Sequence, residues 1–327
     1  MTERRGRAPL TDVRGSDVRG TPTVRVAHLQ PVDYLRNAAA ETTTYSEKEA
    51  REYTRWLATH HYENFHVASF LLPKELHQDF YNVYAYCRWA DDLGDEIGDP
   101  RESRRLLAWW RGELHAMYGG EASHPVFVAL KATVAHHDIP IEPFDRLICA
   151  FEQDQDTTRY QSFDEVFAYC VNSANPVGRL VLYLCGYRDG ERQQLSDYTC
   201  TALQLANFWQ DVTIDLRKDR VYLPLELFAK HGYTVEELLA LEFNSGFELV
   251  MRDAVSVADE LFRKGLPLIG MVDRRLALDL ELFSRGGMRI LDKIKAQGYN
   301  VLKRRPHISK VERMGILFQC LPRLLPF

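Results

Sequence analysis

From about Tyr45 onward, apolar positions recur every three to four residues almost without a break, the period of helices that bury one face. The clearest run starts at Ser245. Phe247, Val250, Met251, Ala254, Ala258, Leu261 and Phe262 form one apolar stripe, and Ser245 with Glu248 has the spacing of a capping box. Sustained two-residue alternation is absent, so strands are not expected. Pro73, Pro100, Pro140, Pro143, Pro176, Pro224 and Pro267 punctuate the pattern where helices start or stop. No linker rich in Gly, Pro or Ser divides the chain after residue 45. The pattern predicts one all-α domain over residues 45–315, with its site between helices.

The two ends depart from this pattern. Residues 1–40 are polar and Arg-rich, with Asp12-Val-Arg-Gly15 echoed by Asp17-Val-Arg-Gly20. So few apolar residues do not offset the entropy of ordering, and a disordered leader is expected. Its acidic residues argue against a transit peptide. Residues 316–327 are instead unusually apolar. They are expected to dock on the protein's own core, with a membrane surface or a partner as the other use.

Composition narrows the function classes. With 327 residues, 46% of them apolar, the chain can bury a sizeable core. A net charge of −5 provides no broad basic field, so nucleic acid is not an expected partner. No uninterrupted apolar run approaches the ~18 residues of a membrane span, and the N-terminus lacks the apolar core of a secretory signal. Six cysteines without CxxC spacing fit a reduced, cytoplasmic compartment better than a disulfide framework or a zinc site.

Two segments carry candidate chemistry. In the first, Tyr84, Arg88, Asp91 and Asp95 follow one another along a single helix face. Carboxylates one turn apart repel unless a cation lies between them, and magnesium takes oxygen ligands while bridging carboxylates to substrate phosphates. Arg88 could hold a diphosphate oxygen through its planar fork. A solvated acidic helix end is the alternative, and Gly94 and Gly98 favour it by suggesting that the helix frays or ends there. The second segment sets Asn207, Asp211 and Asp215 on one stripe, with Gln204 a turn earlier on the same side. Leu205, Phe208, Trp209, Val212 and Ile214 make its surroundings apolar, and a metal would offset the cost of burying those carboxylates. Arg217, Lys218 and Arg220 follow, placed either to grip diphosphate or simply to pair with the aspartates.

These segments resemble the signatures of the squalene/phytoene synthase family, the head-to-head trans-isoprenyl-diphosphate synthases. The Tyr-x-x-x-Arg approach and DxxxD motif are met by Tyr84, Arg88, Asp91 and Asp95. The second motif, N-x-x-x-D-x-x-x-D, is met by Asn207, Asp211 and Asp215, with its Arg-Tyr-Pro end at Arg220, Tyr222 and Pro224. The resemblance spans roughly residues 50–310. It implies a single-domain isoprenoid-synthase helical fold with a central cavity. It also implies two or three magnesium ions held with diphosphate by Asp91, Asp95, Asn207, Asp211 and Asp215.

Departures from the family pattern point to one branch. His61-Tyr-Glu-Asn-Phe65 begins a stretch where many members carry a Ser-rich segment, and Asn172-Ser-Ala-Asn-Pro-Val-Gly178 stands where phytoene and presqualene-diphosphate synthases read x-V-A-G-x-V-G. Gln210 replaces an arginine often found before Asp211. This wording is similar to the bacterial hydroxysqualene synthase branch of squalene and hopanoid biosynthesis, which converts presqualene diphosphate to hydroxysqualene. On that resemblance Asn64, Asn172, Ser173 and Asn175 are expected to orient the capturing water, though Asn172 and Asn175 also suit a core hydrogen bond and a helix break. Phe65, Phe70, Tyr84, Phe208 and Tyr299 are candidate walls around the cation, each aromatic face worth about 0.5–2 kcal/mol. His61, Gln204, Lys218, Arg220, Tyr222 and Tyr299 complete the expected substrate contacts, Tyr299 by alignment with a diphosphate-contacting tyrosine. Alternatives within the class condense two prenyl diphosphates, such as farnesyl diphosphate, to presqualene diphosphate, squalene or phytoene. A non-catalytic assembly or binding factor is the alternative outside it, and intact acidic motifs speak against that. With no Gly-rich dinucleotide fingerprint, NADPH is not expected, although helical synthases bind it without one. Greasy substrates allow peripheral contact with the inner face of a membrane.

Overall fold

The computed structural model describes residues 29–37, 44–60 and 73–320. In chain order the helices are α1 (Pro31–Leu35), α2 (Glu47–His60), α3 (His77–Asp95), α4 (Pro100–Tyr118), α5 (Pro125–His137), α6 (Glu142–Gln153) and α7 (Phe163–Ser173). They continue as α8 (Asn175–Leu184), α9 (Gly190–Asp215), α10 (Leu225–His231), α11 (Val235–Leu239), α12 (Ser245–Gly265), α13 (Arg274–Ala296) and α14 (Lys310–Cys320). Among the described residues the only β pairing is a single bridge between Arg159 and Val221. The all-α reading therefore holds.

Local chemistry accounts for the helix starts. Asp99, Ser162, Asp189 and Asp273 each accept a backbone N–H of the helix they precede, filling donors that have no partner inside the helix. Pro100, Pro143 and Pro176 occupy first turns, where a missing N–H costs nothing. The α12 cap differs from expectation by one residue. Asn244, not Ser245, accepts the Phe247 N–H at 3.1 Å, and Glu248 pairs with Arg252 instead of closing a capping box. Reciprocal capping boxes form instead at Ser46 and Glu49 before α2, at Thr234 and Glu237 before α11, and at Ser309 and Glu312 before α14. The apolar stripe itself is buried as expected, from Phe247 through Phe262, with Leu261 at its edge.

Two apolar cores result. One joins α3 to α2, α4, α5 and α6 around Trp89 and Trp110, whose rings stack 5.1 Å apart. The other joins α9 to α12, α13 and α7 around Trp209. Between them stands α8, which sends Leu180 and Leu184 into the first core while packing along α9. Gly178 allows that approach, because a Cβ there would lie 2.3 Å from the Ser196 hydroxyl and 2.5 Å from the Cys200 sulfur.

The leader reading fails for residues 29–37, which fold as α1 and its flanks. Tyr34 is buried edge-on against Trp89, 5.2 Å between centroids, and the Tyr53 hydroxyl donates to the Leu29 carbonyl at 3.1 Å. Averaging over the arginines upstream hides this short apolar patch. Residues 1–28 and 321–327 lie outside the described part; residues 316–320 continue α14, which exposes Val311, Met314 and Phe318. No helix among the described residues is long and apolar enough to cross a membrane.

Candidate active site

The last turns of α3 carry the first acidic pair. Helix α3 ends at Asp95, one residue past Gly94, as the glycines suggest, and Gly98 follows with a left-handed φ of 77°; Gly94 also serves a close approach, since a Cβ there would lie 3.2 Å from Phe151. Arg88 is almost fully buried and bonds Asp91 at 2.9 Å, while its Nε donates to Asp92 at 2.7 Å. Asp92, a quarter-turn off the expected face, is thus the buried partner that aims Arg88, and Asp91 stays a third exposed beside it.

The second acidic set lies at the end of α9. Asp211 is buried, Asp215 half-buried and Asn207 exposed. A short 3-10 turn, Leu216–Lys218, then reverses the chain through Asp219, whose φ of 56° is left-handed. Arg159 pins that turn, donating to the Asp219 carboxylate at 2.6 Å. The reversal returns the basic residues across the gap to α3: Lys218 meets Asp95 at 2.8 Å and Arg220 meets it at 3.1 Å. Of the two roles open to these residues, pairing with an aspartate is the one this arrangement displays.

Electrostatics separate the carboxylates. Burial works to raise the Asp95 carboxyl, but the hydrogen bonds and charges of Lys218 and Arg220 outweigh it and hold the group below the usual range. Asp215 has no such clamp. Burial and the neighbouring Asp211 push it up to about 7. Asp211 and Asp215 thus oppose one another as like charges, an arrangement that favours a cation. The full donor set, four carboxylates and the Asn207 amide, consists of oxygens, as a hard divalent ion requires.

Two residues here, Arg305 and Asp154, escaped the sequence reading, which noted Gln210 only as a departure from the family pattern. Arg305 arrives from 94 positions downstream and grips Asp211 with both arms of its guanidinium, Nη2 at 3.0 Å. Gln210 holds that segment in place, donating to the Pro306 carbonyl at 2.7 Å. Asp154, buried at the end of α6, accepts the Tyr169 hydroxyl at 2.9 Å and is pushed up to about 6 by burial. Neither Arg305 nor Asp154 belongs to a local repeat, so spacing gives no signal for them.

The other expected residues are spread around this centre. Tyr84 joins Arg88 and Asp91 in the wall of an apolar lobe of about 290 Å³, which extends to Phe151, Val177 and Leu184. Gln204 lines a second lobe of about 390 Å³, and Phe80, Ser173, Val177 and Val181 are common to both. Tyr222 stacks on Phe208 at 3.7 Å, so both are bound into the core. The α7–α8 break falls beside Asn175, as its helix-break reading expects, and Asn175 also accepts from Thr201 at 2.9 Å, an interhelical bond that reading does not include. Asn172 accepts from Arg146 at 3.4 Å. Tyr299 has left-handed backbone and lies 5.7 Å from the Arg252 guanidinium. His61, Asn64, Phe65 and Phe70 lie outside the described residues.

Comparison with known proteins places the chain in a family. A phytoene synthase of Thermus thermophilus is 34% identical over 258 residues, which cover 79% of this chain and 87% of that protein. The crystal structure of the squalene synthase HpnC from Alicyclobacillus acidocaldarius is 42% identical, covers 78% of this chain and 96% of its own, and superposes with a TM-score of 0.75. A dehydrosqualene synthase structure shares the fold at 21% identity and a TM-score of 0.76, over 85% of this chain and 97% of its own. The squalene/phytoene synthase profile matches residues 58–312, a span holding both acidic segments and both lobes, and the chain therefore belongs to that family of isoprenoid synthases.

Proposed function

We propose that the chain is a hydroxysqualene synthase, which ionises presqualene diphosphate with magnesium, lets the cation rearrange and captures it with water. The observation that carries the ionising step is that Lys218 and Arg220, just past the second acidic helix, pair with Asp95, one turn beyond the Arg88 and Asp91 that line an apolar cavity.

The donor chemistry fits magnesium. Asp91, Asp95, Asn207, Asp211 and Asp215 would hold it, with substrate phosphate completing the shell. When bound, magnesium neutralises the diphosphate and makes it a better leaving group. Lys218, Arg220 and Arg305, each paired with a carboxylate in the free chain, then turn to the diphosphate oxygens and stabilise the charge developing there. Arg88, tethered by Asp92 and paired with Asp91, adds its positive charge beside the same carboxylates. The lobes, lined by Phe80, Val177 and Val181, give the rearranging cation an apolar wall.

The branch assignment draws on the Asn172–Gly178 and Asn207–Asp211 wording and on 42% identity to a squalene synthase structure. The phytoene synthase at 34% identity supports the rival condensation of two prenyl diphosphates. Separate incubations with farnesyl, geranylgeranyl and presqualene diphosphates, each with magnesium and with or without NADPH, distinguish them. Turnover of presqualene diphosphate alone, indifferent to NADPH, is expected. Phytoene from geranylgeranyl diphosphate, or presqualene diphosphate from farnesyl diphosphate, would refute the assignment.

A further inference from the structure

The second lobe contains a polar group with no structural reason to be there. Asp279 of α13 is 97% buried, its relative exposure being 3%, and neither carboxylate oxygen has a hydrogen-bond partner among the described residues. Its neighbours on the lobe wall, Leu276, Leu280 and Phe283, make that helix face apolar, so a leucine would suit the position better. The Ser173 hydroxyl is likewise buried and without a partner, and Ser173 lines both lobes where they meet.

We propose that Asp279 and Ser173 together hold the water that captures the carbocation, the step that makes the product an alcohol. The proposal rests on the hydroxysqualene reading and deepens it. A water in an apolar cavity needs two or more polar partners, and these two side chains are on the wall of one lobe. Burial pushes the Asp279 carboxyl up to about 8, so near neutrality it keeps its proton and both donates to and accepts from a bound water. In the capture step a water lone pair forms the C–O bond, one O–H bond breaks, and the proton goes to the pyrophosphate released by ionisation. Asp279 is thus a positioning residue. Without the held water, the cation discharges by losing a carbon-bound proton to the same pyrophosphate, and an alkene results.

The test is product partition: hydroxysqualene formed per pyrophosphate released from presqualene diphosphate. Asp279→Leu should lower that ratio at least about tenfold, with alkenes replacing the alcohol, and should melt no lower than the parent. Asp279→Asn, which also donates and accepts, should stay within about threefold of the parent ratio. A parental ratio in Asp279→Leu, or equal loss in Asp279→Asn, overturns the proposal while leaving the reaction assignment intact. A parent that releases pyrophosphate but makes no hydroxysqualene overturns that assignment and the proposal with it. Should Asp279→Leu fail to fold, Ser173→Ala carries the comparison: a fall of about threefold or more is expected, and a parental ratio overturns the pairing.

Discussion

Arg305 lays its guanidinium across both oxygens of Asp211, a residue that the family motif sets aside for metal. In the free chain the arginine therefore stands in for the cation and relieves the repulsion between Asp211 and Asp215. Arg305→Ala should lower kcat/KM for the diphosphate substrate at least tenfold, about 1.4 kcal/mol or more, because it removes a group that follows the diphosphate into the transition state. Arg305→Lys, a point charge without the fork, should recover only part of the loss. Steady-state kinetics that leave Arg305→Ala at the parental value would show that the arginine is only a structural clamp.

Diphosphate and magnesium should bind as a pair. Each ligand alone meets a site already neutralised by Lys218, Arg220 and Arg305, whereas together they exchange those ion pairs for new ones. A thermal melt with magnesium pyrophosphate at about a hundred times its dissociation constant should gain about 2.7 kcal/mol, with far smaller gains from either component. Asp95→Asn should abolish most of that gain. An equal response to pyrophosphate without magnesium would contradict the oxygen-donor reading.

Histidine burial sets a pH limit on stability. His124 is enclosed by Trp89, Trp109, Trp110 and Phe127, and its Nδ1 accepts the Val126 N–H at the start of α5. Burial lowers its pKa from the usual 6.5 to about 3, so the folded chain keeps it neutral while the unfolded chain protonates it below 6.5. The unfolded state thus binds the extra proton between these values, and stability falls as pH drops through that window. From pH 7.5 to pH 5 the loss from this one group is about 2 kcal/mol. Denaturant titrations at the two pH values should show His124→Asn losing about that much less than the parent; equal losses would place the acid sensitivity elsewhere.

Gly178 fixes the spacing of the cavity wall. A valine there would drive its Cβ into Ser196 and Cys200, and overpacking of this kind costs about 1–3 kcal/mol. Gly112→Ala in α4, where a Cβ meets nothing within 4 Å, should instead be neutral or stabilise by up to about 1 kcal/mol. Comparable melting of the two variants would contradict the close approach of α8 to α9.

What could be read in advance divides along the same physical line. Asp91 with Asp95, and Asp211 with Asp215, are neighbours on one helix turn, so spacing alone exposes them, as it exposes the α12 stripe. Arg305 becomes a neighbour only after the chain folds back, and the Gln210–Pro306 bond that brings it there is non-local as well. Asp279 and Asp154 read as ordinary helix-surface acids until the packing of other helices buries them. Errors of one residue, as at Asn244, arise because neighbouring polar residues compete for one cap. Residues 29–37 were misjudged because a short apolar patch is diluted by the polar stretch beside it.

The central claim is that two acidic helices, closed over one diphosphate, ionise presqualene diphosphate for capture by water. Incubating that substrate with magnesium and weighing the products of the parent and of Asp211→Asn tests it most directly. Hydroxysqualene is expected from the parent, with a loss of at least a hundredfold (about 2.7 kcal/mol) in the variant and an unchanged helical circular dichroism signal. Hydroxysqualene formation by Asp211→Asn within about tenfold of the parent would contradict it.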